Sequence, residues 1–252
     1  MALPISIQLY TVRDLIKTQG YLPVLKTIAD IGYGHVEMGD FFGKTAKAVK
    51  PELDELGLKV SGLWGPILDP QKRAQLVEDA GVVGIKDVIT GYGQNVFEND
   101  EILKKTADEL NAALDYFVPK GFTVSLHNHW WEFHTPRYDK LLELAPRAHL
   151  ELDIYWAQCG GGKPAEYIKR YGKRIRFLHI KDGPANKREP NLDMVAVGKG
   201  DVPVADCIHA VEQAGNCAAL PIELDRCATD MMQAVRDSYT YLTSNKLASG
   251  KK

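Results

Sequence analysis

A chain of 252 residues in which 45% of side chains are hydrophobic can bury one sizeable core, and about 250 residues is the usual span of a single (β/α)8 barrel. A formal net charge of −2 excludes the clustered positive footprint that nucleic acid or an anionic membrane surface requires. No apolar run approaches the roughly 18 residues of a membrane span, and the start MALPISIQLYTVRD lacks the features of a secretory leader, so a cytoplasmic protein is expected.

In chain order, the predicted strands are ISIQLY (5–10), HVEM (35–38), LKVSGLW (58–64), VGIKDVI (83–89), FTVSLHN (122–128), HLELDIYW (149–156), IRFLHIK (175–181) and LPIELD (220–225). Amphipathic stretches separate them. Leu22, Leu25, Ile28 and Ala29 recur at helical spacing before Gly32, and Ile102, Leu103, Leu110, Leu114 and Phe117 repeat the pattern between 99 and 120. Eight strands alternating with helices, and no G-x-G-x-x-G turn after the first, predict an α/β fold: a single closed (β/α)8 TIM barrel over 1–245 rather than an open doubly wound sheet. The tail 246–252 is expected to be disordered. Cys159, Cys207, Cys217 and Cys227 lack C-x-x-C pairing and read as free thiols.

Chemistry in such a barrel gathers at the C-terminal ends of the strands. Strand five ends in His127-Asn128-His129, strand six in Asp153, strand seven in His179-Ile180-Lys181-Asp182 and strand eight in Glu223-Leu224-Asp225. Carboxylates and imidazoles converging in a dry mouth are costly without a partner, and a bound cation resolves that cost. His127, Asp153, His179 and Glu223 are therefore expected to hold one divalent ion. Their mixed nitrogen and oxygen donors suit Mn2+ first, then Zn2+, Co2+, Fe2+, Ni2+ or Mg2+, rather than Ca2+.

Several short stretches together resemble the sugar phosphate isomerase/epimerase family with its xylose isomerase-like barrel, whose members include ketose 3-epimerases and inosose and dehydroshikimate dehydratases. They are 5–13 (ISIQLYTVR), Val36-Glu37, 126–129 (LHNH) with Glu132-Phe133, 152–156 (LDIYW), 178–182 (LHIKD) and 222–225 (IELD), and they span nearly the whole chain. The resemblance implies metal ligands at Asp153, His179 and Glu223, and a carboxylate where this chain carries His127. It also implies a His at the position of Trp156.

An epimerase-like mechanism would use two carboxylates on opposite faces of the substrate carbon. With Glu223 the remaining member of that pair, His129, Glu132 and Lys181 are the candidates for a second acid or base. The expected activity is a metal-dependent isomerisation or epimerisation of a ketose or keto-sugar. A dehydratase or lyase acting on a keto-sugar, keto-glycoside or keto-cyclitol is the alternative, and a non-catalytic sugar-binding barrel the third reading. Gln8, Glu37, Trp64, Lys86, Trp130 and Trp156 are expected to face the substrate, together with Tyr10. Lys86 and Lys181 could hold an anionic group, and Gly198-Lys-Gly200 is the nearest approach to a phosphate cradle. The expected partner is a small sugar, with neither nucleic acid nor membrane, and self-association is left open. His35, His134, His149 and His209 read as structural.

Overall fold

The computed structural model describes residues 2–185 and 193–251. All eight predicted strands are present: β1 (Ile5–Gln8), β2 (His35–Met38), β3 (Lys59–Trp64), β4 (Asp87–Gly91), β5 (Thr123–His127), β6 (His149–Asp153), β7 (Ile175–His179) and β8 (Leu220–Ile222). They pair in parallel in the order β7-β6-β5-β4-β3-β2-β1-β8. Bridges from Phe177 to Ala219 and from Ile180 to Ile222 close the seam between β7 and β8. The eight parallel strands form the barrel that the alternation of strands and helices predicts.

The surrounding helices are α1 (Arg13–Gln19), α2 (Tyr21–Ile31), α3 (Ala46–Glu55), α4 (Arg73–Val83) and α5 (Asp100–Phe117), followed by α6 (Arg137–Leu144), α7 (Ile154–Cys159), α8 (Pro164–Tyr171), α9 (Val204–Ala214) and α10 (Met231–Ser244). Among the described residues no helix is long and apolar enough to cross a membrane. The Asn99 side chain starts α5 by accepting from the backbone N–H groups of Glu101 and Ile102, and Leu103, Leu110, Leu114 and Phe117 are buried along one face. In α2 the buried stripe is Tyr21, Val24, Leu25 and Ile28, whereas Leu22 is exposed. Gly32 ends that helix at φ +119°, where a side chain would strike the Tyr239 ring.

One strand boundary moves in a way that matters. Val83 is the last residue of α4 and Gly84 its left-handed cap, so β4 begins only at Asp87. The apolar run at 82–85 is helix end and turn rather than strand, an ambiguity that short apolar runs carry. At the foot of the barrel Arg176 on β7 reaches Asp87 on β4 with two hydrogen bonds of 2.7 and 3.1 Å, and Thr123 Oγ1 donates to the same carboxylate. β4 and β7 are three strands apart in the ring, so this ion pair spans the interior and floors it. Ile89, Phe177 and Ala219 form an apolar cluster of their own, separate from the main core. Leu247 and Ala248 are buried, the Ser249 and Lys251 N–H groups donate to Leu3 O and Gly32 O, and Ile5 N–H donates to Ser249 O.

Candidate metal centre and active-site cavity

A cavity of about 340 Å3 opens at the C-terminal end of the strands, lined by Gln8, Tyr10, Gly39, Trp64, His127, His129, Lys181, Glu223 and Asp225. Residues from β1, β3, β5 and the ends of β7 and β8 meet there because strand-end side chains on the inward face converge on the barrel axis.

Beside it lie Asp153, His179 and Glu223, each offering a donor atom within 4.8 Å of the others. His179 Nδ1 is 3.5 Å from Asp153 Oδ2 and 3.5 Å from Glu223 Oε2. Asp153 Oδ2 and both His179 ring nitrogens are buried without a hydrogen-bond partner, a state that normally costs about 1–3 kcal/mol per group. A cation among these atoms would satisfy Asp153 Oδ2 and one His179 nitrogen at once, so the residues fit a divalent metal. Asp153 is held firmly for that role. Its Oδ1 caps α7 by accepting from Trp156 N–H at 2.8 Å, and Asn128 hydrogen-bonds both its backbone N–H and its backbone carbonyl.

His127 is the partial member of the predicted quartet. Its Nε2 lies 3.9 Å from Asp153 Oδ2, while its Nδ1 is 2.9 Å from Glu151 Oε2. Burial, with the charges of His179, His129 and Lys181, holds its pKa well below the usual imidazole value, so the ring is neutral as a metal ligand must be. His127 also belongs to a second group of donor atoms with Glu151 and His179.

Lys181 is buried within the carboxylates. Its Nζ is 2.6 Å from Glu223 Oε2, 2.8 Å from Asp225 Oδ2 and 3.3 Å from Asp153 Oδ2. Burial opposes its charge, but Asp225, Glu223 and Asp153 outweigh that and hold it an ammonium. Committed to three carboxylates, it is not a free phosphate contact, and a raised pKa makes it a reluctant proton donor. Burial lifts the Glu223 carboxyl above its ordinary range despite Lys181, which strengthens it as a base.

His129 stands on the wall formed by β5, three strands round the ring from β8. Its ring stacks on Trp131 at 4.2 Å, its backbone N–H donates to Glu132 Oε2 at 2.9 Å, and its Nδ1 is 3.8 Å from Glu132 Oε1. Glu132 itself is buried behind the cavity wall, and burial raises its pKa. It can act only through His129.

The residues expected to face substrate separate into two sets. Gln8 and Trp64 line the cavity, with half-exposed Tyr10 at the rim under the Arg13 guanidinium. Glu37 does not face it. It is fully buried, accepting from Gln8 Nε2 at 2.7 Å and Trp64 Nε1 at 2.8 Å, with His179 Nε2 at 3.4 Å. Lys86 is corrected outright. It precedes β4 at the opposite end of the barrel, donates to Lys120 O and lies over the Phe122 ring, because the strand starts later than its apolar run implies. Trp130 packs on Trp131 and His134 away from the cavity, and Trp156 is buried on α7 behind Lys181.

The Gly198–Gly200 stretch is also taken. The Asp182 carboxylate accepts from the backbone N–H groups of Gly183, Gly198, Gly200 and Val202, leaving no cradle for a phosphate. Asp225 is marked in the sequence as a strand end without a role, and Glu151 is not marked there at all. Alternation along β6 carries the signal for the second: Glu151 shares the inward face with Asp153, and only a side chain aimed into the barrel would be charged in so apolar a run. All four cysteines are free thiols.

A model of the xylose isomerase-like TIM barrel matches residues 25–242. The chain belongs to that family. Within it the chain is similar to an inosose dehydratase of Clostridium beijerinckii, 24% identical over 229 residues that cover 77% of this chain and 76% of the relative. Its fold matches a sugar phosphate isomerase/epimerase from Parabacteroides distasonis at a TM-score of 0.80 and 19% identity, covering 99% of this chain and 96% of the other. It also matches the IOLI protein, solved with a bound zinc atom, at a TM-score of 0.75 and 17% identity over 98% of each chain. In this structure Asp153, His179 and Glu223 stand at the successive strand ends β6, β7 and β8, beside the cavity.

Proposed function

We propose that this protein is a divalent-metal-dependent enzyme that takes a proton from the carbon next to a carbonyl in a small keto-sugar or keto-cyclitol, with β-elimination of water or an alcohol as the outcome. One observation carries the choice of elimination: the carboxylates that line the cavity, Glu223 and Asp225, both stand at the end of β8, while the β5 side is built from His127 and His129. Epimerisation calls for a base on each face of the reacting carbon, whereas elimination needs one base and an acid for the leaving oxygen.

A cation held by Asp153, His179 and Glu223, with His127 beside them, would polarise the substrate carbonyl and so acidify the adjacent C–H. Glu223, with its pKa raised by burial, receives that proton. Lys181 holds the Glu223 carboxylate in place and offsets the negative charge of the β8 wall. His129, supported by Glu132, hands a proton to the departing hydroxyl or alkoxide. Gln8, Tyr10 and Trp64 bound the sugar, Trp64 offering its ring to an apolar sugar face. The similarity to inosose dehydratases supports the elimination reading.

The second reading is isomerisation or epimerisation, and His129 favours it, because a base on the β5 wall could return a proton to the opposite face. Incubating the Mn2+-loaded protein with ketoses, keto-cyclitols and 3-keto-glycosides in D2O, followed by NMR, separates the two. Loss of water or of the aglycone with formation of an enone supports elimination. Recovered isomer carrying one solvent deuteron, with no loss of mass, overturns it in favour of epimerisation.

A further inference from the structure

Two imidazoles stand at the centre of the barrel mouth, and each has its two nitrogens turned in the same two directions. His127 Nε2 and His179 Nδ1 face Asp153 Oδ2, at 3.9 and 3.5 Å. The opposite nitrogens face buried carboxyls: His127 Nδ1 is 2.9 Å from Glu151 Oε2, and His179 Nε2 is 3.4 Å from Glu37 Oε1. Neither Glu37 nor Glu151 lines the cavity, and both are 0% exposed, so neither can meet a substrate. Glu37 is fixed from two further sides by Gln8 and Trp64. The two carboxyls also meet each other through a side-chain hydrogen bond, and burial, the Glu37 charge and that bond hold the Glu151 carboxyl well above its ordinary range. The other oxygens, Glu151 Oε2 and Glu37 Oε1, each stand behind one imidazole, where a buried acceptor can take a ring N–H.

We propose that Glu151 and Glu37 are positioning residues for the metal, each accepting the ring proton of one imidazole so that the other nitrogen points at Asp153. This rests on the reading of Asp153, His179 and Glu223 as metal ligands. A cation on one imidazole nitrogen leaves the proton on the other, and a fixed acceptor there selects the tautomer and locks the ring plane. For His127 the acceptor sits two residues before Asp153 on the same strand, so β6 delivers both a ligand and the support of a neighbouring ligand.

The test is made on the Zn2+-loaded protein, in which NMR of 15N-labelled histidine reads each ring's tautomer directly. His127 is expected as the Nδ1–H form and His179 as the Nε2–H form; the reverse tautomer in either ring overturns its assignment. In parallel, Zn2+ affinity is measured by chelator competition. Glu151→Leu, which removes the acceptor, is expected to weaken binding about 10–100-fold, while Glu151→Gln, which keeps an acceptor oxygen, retains most of it. Melting of the metal-free variants serves as the fold control. Equal affinity in wild type and Glu151→Leu overturns the positioning role while leaving the metal site standing. A wild-type protein that binds neither Zn2+ nor Mn2+ overturns the metal site itself.

Discussion

Lys181 Nζ lies 2.6 Å from Glu223 Oε2, and the two side chains are 2% and 9% exposed. An ammonium is thus part of the same buried charge cluster as the candidate metal ligands, and it neutralises carboxylates that a cation would otherwise have to satisfy alone. Lys181→Met leaves Glu223, Asp225 and Asp153 facing one another unpaired. Breaking a buried ion pair from one side costs about 3–5 kcal/mol, so the metal-free variant should melt well below the wild type. Added Mn2+ should raise its melting temperature by more than it raises that of the wild type, since the cation then supplies the missing positive charge. Equal shifts in both proteins would count against a shared site.

Glu223→Gln keeps the shape of the site but removes a metal ligand and the proposed base together. Turnover should fall by at least about 100-fold, and Mn2+ affinity should fall with it. His127→Ala is expected to act mainly on the metal: affinity drops, and saturating Mn2+ restores a substantial part of the activity. Kinetics at several metal concentrations distinguish the two variants, and full activity in Glu223→Gln would remove that residue from the mechanism.

Asp182 ties Gly183 to the 198–202 stretch through four backbone N–H groups. Hydrogen bonds to a charged acceptor are worth about 1.5–3 kcal/mol each and do not add fully. Asp182→Ala should therefore destabilise the fold by about 3 kcal/mol or more, read by urea denaturation. Inorganic phosphate should give no protection to the wild type, because the nest it would need is already filled.

The half-buried His35 and His149, at the starts of β2 and β6, have pKa values below the usual imidazole value, chiefly through burial. Between the lowered folded value and about 6.5 in the unfolded chain, the unfolded state binds more protons. Their contribution to stability is therefore present above about pH 6.5 and is lost as pH falls through the folded values. Buried His127, whose pKa is also held low, titrates in the same sense, so the effect is isolated by comparing melting from pH 7.5 to 5.5 between wild type and a variant that lacks only the two half-buried rings. The His35→Gln/His149→Gln double variant should lose less stability over that range than the wild type, and an unchanged slope would show that these rings are not the cause.

Strand count, alternation with helices and the placing of Asp153, His179 and Glu223 at strand ends were legible in the linear chain, because a barrel repeats one local unit and directs every strand end to the same mouth. What a strand end does with its side chain was not legible. Glu37 and Lys86 each sit in or beside a predicted strand, yet one lies sealed beneath His179 and the other at the foot of the barrel after β4 starts four residues late. Lys181 looked like a free cation and is bound by three carboxylates drawn from two other strand ends. Glu151 passed unnoticed, although alternation alone put it on the face of Asp153. Sequence by itself determined the eight strands and the groups that end β5 to β8, since periodicity and hydrophobic pattern are local. The tertiary structure decided which of them pair, because those partners come from strands distant in sequence and their pairing depends on distances of a few ångströms across the ring.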